Sequence, residues 1–130
     1  MIYGFFGLFN AFTKHLRNRY FKSEPLVVGA IRSSKWPTVR KHHLEKFPCC
    51  AACGNSNLKD LEVHHIIPFS VDATKELDPS NLITLCEASS KCGLKCHFFV
   101  GHKKSWVDFN ENVRQDSKDM KDLIDRITKD

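Results

Sequence analysis

Apolar positions recur every three to four residues near both ends of this chain and gather into short runs in its middle. Phe5, Leu8, Phe9, Phe12 and Leu16 carry the helical spacing, which predicts a helix over residues 1–23. Ser23-Glu24-Pro25 ends it, because proline lacks an amide donor and disfavours helix in the residue before it. After a short Leu26-Val27-Val28 run, Ser33, Ser34 and Pro37 signal a new helix start. Thr38 to Phe47 forms its body and Pro48 closes it. Leu61 to Ile67 reads as a strand, and Phe69 to Ser80 as a polar loop. Leu82 to Leu85 reads as a second strand antiparallel to the first. Residues 87–95 are expected to be loop, and Cys96 to Trp106 to begin a helix. A last helix, about Val113 to Thr128, places Met120, Leu123, Ile124 and Ile127 on one face.

The 130 residues make one domain's worth, with 42% hydrophobic and 27% charged residues, which argues against wholesale disorder. The net charge of +5 is unevenly spread. Residues 1–49 carry +7, residues 50–106 are neutral, and residues 107–130 carry −2. A basic arm before a neutral core suits a polyanionic partner. Three segments follow: a helical arm over 1–31, a core over 32–110, and an amphipathic helix over 111–130 packing on that core. The apolar start, Met1 to Phe12, has its charges after the run (Lys14, Arg17, Arg19), opposite to a secretory signal. It is also well short of the roughly 20 apolar residues that span a bilayer. It reads as an amphipathic helix that packs on the domain or a partner, with peripheral membrane contact as the alternative, and no membrane-spanning segment is expected.

Six cysteines fall in two groups, Cys49-Cys50-x-x-Cys53 and Cys86, Cys92, Cys96. Histidines lie close by, so the grouping reads as metal ligation in a reducing, cytoplasmic setting rather than as disulfides. Cys50-Ala51-Ala52-Cys53-Gly54 is a good first zinc knuckle, the glycine letting the turn close. The second is irregular. Cys50, Cys53, Cys86 and Cys96 are the preferred set for a structural zinc, with Cys92 as the substitute for Cys96, and Cys49 is a spectator.

His64 and His65 are adjacent on the first strand, so their side chains face opposite ways. That suits one imidazole on a metal and the other free to accept a proton. His97 and His102 lie about a turn apart and could approach one ion from a helix. His42 and His43 sit on a polar helix face and are read as ordinary surface residues. Trp36 and Trp106 are expected to be core or hairpin-packing residues rather than base-stacking platforms, because aromatics at element ends usually bury. Arg32, Lys35, Arg40 and Lys41 on the lead-in helix, with Lys103 and Lys104 near the histidines, are candidate phosphate contacts.

Together, Cys50-x-x-Cys53, His64-His65-Ile66-Ile67-Pro68, Asn81-Leu82, Leu85-Cys86 and Cys96-His97 resemble the HNH endonucleases of the ββα-metal (His-Me finger) superfamily. The likeness runs from about Ser34 to Trp106 and is nearest to small phage or prophage versions. It implies His65 as general base and His64 and His97 as ligands of a catalytic divalent ion, with His102 a further ligand or phosphate contact. It implies Asn81 as the residue that holds the base in position. The long Cys86–Cys96 insert departs from the pattern. The expected fold is a small α+β domain, a ββα-metal finger of β-hairpin and helix with a four-cysteine zinc knuckle and flanking helices. The expected activity is metal-dependent hydrolysis of DNA phosphodiester bonds, with a phage packaging protein or another protein as a candidate partner. Imidazole ligands do not distinguish Mg²⁺, Mn²⁺, Ni²⁺ and Zn²⁺. The alternative is a zinc-binding nucleic-acid or partner-binding module without catalysis.

Overall fold

A computed structural model describes residues 31–88 and 92–129. The helix expected over residues 1–23, and with it nearly all of the 1–31 arm, lies outside the described residues.

Helix α1 spans Trp36–Lys46. Pro37 sits in its first turn, where the missing N–H would have had no partner in any case. The Phe47 amide closes its end on the His43 carbonyl, and Pro48 follows. The chain then turns tightly through Cys50 to Gly54, with the Gly54 amide on the Cys50 carbonyl at 2.8 Å. Gly54 has φ 75°, a conformation that a Cβ would penalise.

Strands β1 (Leu61–His65) and β2 (Leu82–Cys86) form one antiparallel hairpin, with Leu61 opposite Cys86, His64 opposite Ile83 and His65 opposite Leu82. The first strand stops two residues short of expectation. Pro68 follows, and the Asn81 side chain takes both the amide and the carbonyl of Ile67, bending that segment inward. The intervening polar loop contains two short 3₁₀ turns, Ala73–Lys75 and Pro79–Asn81. Each is capped by an aspartate, Asp72 on the Thr74 amide and Asp78 on the Ser80 amide.

The expected helix from Cys96 is instead a single π-helical turn, His97–Gly101. Lys103 and Lys104 stop it: both adopt left-handed φ, 49° and 66°, which no helix can continue through. Trp106 does not pack into the interior and is 59% exposed.

Helix α2 spans Val113–Ile127. Its packed stripe is Val113, Ser117, Met120 and Ile124, while Leu123 and Ile127 are 51% and 67% exposed. The buried face is therefore rotated from the expected one. Buried Asn110 sets the rotation, donating to the Val100 carbonyl (2.9 Å) and to Asp116 (2.7 Å) while accepting the Asn112 amide (3.0 Å). Arg114 adds a second tie, donating to the carbonyls of Ser80 and Leu82 at 2.9 Å each.

The result is a small α+β fold, a two-stranded hairpin with helices and a buried cysteine cluster, consistent with a ββα-metal finger. The core gathers Leu61, Ile66, Ile83, Leu85, Val100 and Val113 around Cys50, Cys53, Cys86 and Cys96. No helix among the described residues is long and apolar enough to cross a membrane.

Asn110→Ala leaves the Val100 carbonyl and Asp116 without their donor. It should lower stability by about 2 kcal/mol, read as a shifted urea midpoint at constant slope.

Candidate functional site

Two clusters form, and Cys96 and His97, adjacent in sequence, link them. The first holds the Sγ atoms of Cys50, Cys53, Cys86 and Cys96, all within 4.8 Å of one another and buried. None is in a disulfide. A tetrahedron with metal–sulfur bonds of about 2.3 Å has edges of about 3.8 Å, and Cys53 and Cys86 are 3.8 Å apart. Cys92 falls outside the mutually close four, although its Sγ lies 3.7 Å from that of Cys96. Cys49 is exposed.

The hydrogen bond from Cys96 pulls the Cys50 thiol down to about 5 against the opposing effect of burial. Burial pushes Cys53 and Cys86 upward, and the same Cys50–Cys96 bond pushes Cys96 upward. Four converging buried thiols are a set that a soft divalent cation would complete, since coordination deprotonates them.

The second cluster joins His64 of β1 to His97 and His102 of the π-turn, with ligand nitrogens within 4.8 Å of one another. Five residues along an α-helix would put His102 about 140° around the axis from His97. The π-turn removes that offset. The His102 amide bonds the His97 carbonyl, and the two rings sit 4.9 Å apart.

Second bonds fix which nitrogen is bare. His102 Nδ1 donates to the Asp108 carbonyl at 2.7 Å, leaving Nε2 as the lone-pair nitrogen of the neutral ring. His97 Nδ1 bonds the Glu87 carboxylate, which leaves its Nε2 toward His64 Nδ1 at 2.9 Å. Burial, then the neighbouring imidazoles of His97, His102 and His65, press the His64 pKa down to about 3. His64 thus stays neutral, with its buried Nε2 lacking any hydrogen-bond partner. Three converging imidazoles, each with a nitrogen to offer, fit a divalent transition-metal ion.

Glu87 carries no signal in the sequence because it stands in the irregular insert with no motif around it. Gly101 carries none either. A Cβ there would come 3.2 Å from His64 Cε1 and from Leu85 Cδ1, so the π-turn reaches the hairpin only where the side chain is absent.

His65, the next residue of β1, lines the same cleft but makes different bonds from this trio. Its Nε2 lies 2.9 Å from the Glu76 carbonyl, which can only accept, so Nε2 carries the proton and Nδ1 is the basic nitrogen. Burial holds its pKa below the usual histidine value, partly opposed by that carbonyl bond and reinforced by Arg32. The ring packs against Trp36, with centroids 4.4 Å apart. The packing expected of Trp36 is thus made on the imidazole itself, a contact that no local pattern announces.

Asn81 touches neither the imidazoles nor the thiols. It is buried and ties the hairpin loop from inside, accepting from the Ile67 amide and donating to the Ile67 and Lys75 carbonyls. Lys75 immediately precedes Glu76, so Asn81 holds the segment whose carbonyl orients His65. The buried Glu76 carboxylate accepts from the Ser33 amide at 2.9 Å and pairs with Arg32.

A cleft of about 330 Å³ is lined by His64, His65, His97, His102, Arg32 and Arg40, among others. Lys35, Lys41, Lys103 and Lys104 do not line it. Lys41 pairs with Glu45 along α1, and Arg40 with Glu62 at 3.2 Å. His43 is buried, not the surface residue expected, because its ring packs on Phe47. His42 is exposed, and neither joins a metal-type cluster among the described residues.

Glu87→Gln removes the charge that orients His97 but keeps a hydrogen-bond acceptor. It should weaken Ni²⁺ binding at the imidazole trio about 10- to 100-fold by titration calorimetry. Gly101→Ala should weaken it as well by crowding His64, with the metal content of the cysteine cluster unchanged by elemental analysis.

Residues 50–88 match the family model described as HNH endonuclease. That stretch contains the cysteine turn, both strands, His64, His65, Asn81 and Glu87, and it ends before His97 and His102. No curated protein and no solved structure matches. Over residues 50–88, which hold its cysteine turn and hairpin histidines, the chain is thus similar to the HNH endonuclease family.

Proposed function

We propose that this protein is a metal-dependent endonuclease that hydrolyses DNA phosphodiester bonds, with His65 as general base. The observation that carries the assignment is the division of labour at one cleft. His64, His97 and His102 converge with bare nitrogens, while His65 beside them keeps a basic Nδ1 and its Nε2 is committed to the Glu76 carbonyl.

His64, His97 and His102 would hold the divalent ion, and a bound ion would supply Lewis-acid stabilisation of the phosphoryl and leaving oxygens. The remaining chemistry belongs to the chain. His65 takes a proton from water at Nδ1 as that water attacks phosphorus. The Glu76 carbonyl stabilises the imidazolium that results, because its bond to Nε2–H strengthens when the ring is charged. Asn81 and Trp36 restrict the ring to that orientation. Arg32 and Arg40, at the cleft wall, supply positive charge for flanking phosphates; Lys35, Lys41, Lys103 and Lys104 would act further out on the nucleic-acid backbone. Cys50, Cys53, Cys86 and Cys96 would hold a structural zinc, with Cys96 favoured over Cys92 by the mutual closeness of the four sulfurs.

Plasmid nicking tests the assignment, with Mg²⁺, Mn²⁺, Ni²⁺ and Zn²⁺ added separately to protein whose exchangeable metal has been removed. Wild-type protein should nick with at least one ion, and His65→Ala should lose roughly 10²-fold or more in rate while keeping fold and metal content. Equal nicking by the variant would remove His65 from the role of base. No nicking with any ion, by protein that keeps its cysteine-bound metal, would favour the non-catalytic zinc module.

Cys50→Ser should release that metal and lower the melting temperature by several degrees or prevent folding, since a structural zinc contributes folding free energy directly. A variant with unchanged zinc content and melting would show that Cys50 is not a ligand.

A further inference from the structure

The segment Phe98 to Val107 forms the rim next to the imidazole trio. It contains three aromatic residues and two lysines and no acidic residue. Trp106 is 59% exposed, Phe99 37% and Val107 42%. The aromatic rings are in contact: that of the half-buried Phe98 lies 4.9 Å from that of Trp106 and 5.7 Å from that of Phe99. A large indole left in water beside two further apolar groups is an unusual outcome for folding and marks a contact surface.

Trp106 is also held in place. Its ring meets those of His102 at 4.8 Å and His97 at 5.6 Å, both of which line the cleft. The backbone that delivers it is strained, with Lys103 and Lys104 consecutively left-handed, a state unfavourable for residues bearing a Cβ. Three bonds maintain the strain: Lys104 amide to Phe98 carbonyl, Ser105 amide to His102 carbonyl, and His102 Nδ1 to Asp108 carbonyl. The strained turn therefore sets an aromatic face against two histidines that line the cleft, with Lys104 Nζ 5.6 Å from the Phe99 ring. Trp36, by contrast, has its ring against His65 and is half-buried.

We propose that this rim, centred on Trp106, is a stacking platform for an unpaired nucleobase, so that single-stranded or frayed nucleic acid is bound there in preference to intact duplex. The occupant follows from chemistry. An aromatic face beside lysines accepts a base by stacking and its phosphates by charge, whatever the sequence. Inside a duplex the π-faces are already stacked, so a fully paired substrate offers nothing to the indole. The proposal rests on the nuclease assignment above for its link to cleavage, and deepens it by naming a substrate class.

The test is fluorescence anisotropy with a labelled mixed-sequence single strand and the corresponding duplex, without added divalent ion so that cleavage does not contribute. Wild-type protein should bind the single strand more tightly than the duplex. Trp106→Ala should lose about tenfold or more on the single strand, the size expected for one base–aromatic stack, with less than about twofold change on the duplex. Trp106→Phe should restore most of the loss. If the alanine variant melts early, Trp106→Leu serves in its place, because it keeps apolar bulk without a π-face and should show the same selective loss. Unchanged single-strand affinity, an equal loss on both substrates, or equal affinity of the Phe and Leu variants would overturn the platform. Plasmid nicking by wild-type protein separates the two assignments. Trp106-dependent binding without nicking overturns the nuclease and leaves the platform, whereas nicking with Trp106-independent binding overturns the platform alone.

Discussion

Four buried thiols from three separate places in the chain meet at one point, and most of the remaining geometry depends on that meeting. Cys50 and Cys53 belong to the turn after α1, Cys86 ends β2, and Cys96 begins the π-turn. A hairpin of two five-residue strands has too little area to be stable alone. The turn meets the end of β2 at these sulfurs and is fastened to that strand by the Ala51 amide on the Thr84 carbonyl. The same junction delivers His97, next in sequence to Cys96, to the face of the hairpin that carries His64. Cysteine cluster and imidazole cluster are therefore mechanically continuous through the Cys96–His97 link.

The opposite face of β1 is organised by backbone carbonyls. His65 is oriented by the Glu76 carbonyl, Glu76 sits in a loop that Asn81 ties at Ile67 and Lys75, and its carboxylate anchors the lead-in through Ser33 and Arg32. Alternation along a strand is what makes this possible, since adjacent histidines receive different surroundings without any change of backbone. His64 is buried and pressed toward neutrality by other imidazoles, whereas His65 is half-buried against indole and carbonyl. Two identical side chains are thus placed in two different environments.

Strain is concentrated in the short segment that closes the site. A π-turn, a glycine at the closest approach to His64 and two left-handed lysines follow one another from His97 to Lys104. Asn110 and His102 hold the far side of that segment through the carbonyls of Val100 and Asp108. Helix α2 then serves as a buttress, with Val113 and Ser117 buried and Arg114 reaching β2.

Local pattern in the sequence was enough for the elements with short-range causes. Pro37 and Pro48 bracket α1, the glycine after Cys53 closes the turn, and the alternating run Leu61 to His65 and the apolar run after Asn81 make the hairpin. The pairing of ligand types was legible as well, because cysteine and histidine so grouped have few other uses. What tertiary structure alone decided depends on contacts between residues far apart in sequence. The packed stripe of α2 was settled by Asn110 and not by the helix's own apolar spacing. The last helix of the expected finger is cut to a single π-turn where Lys103 and Lys104 turn left-handed. Glu87 entered the site only because the hairpin brings the end of β2 beside the start of that turn, and Trp106 packs on His97 and His102 while staying largely exposed. Periodicity records which residues prefer to be buried; which of them find a neighbour is determined by the packing of the whole chain.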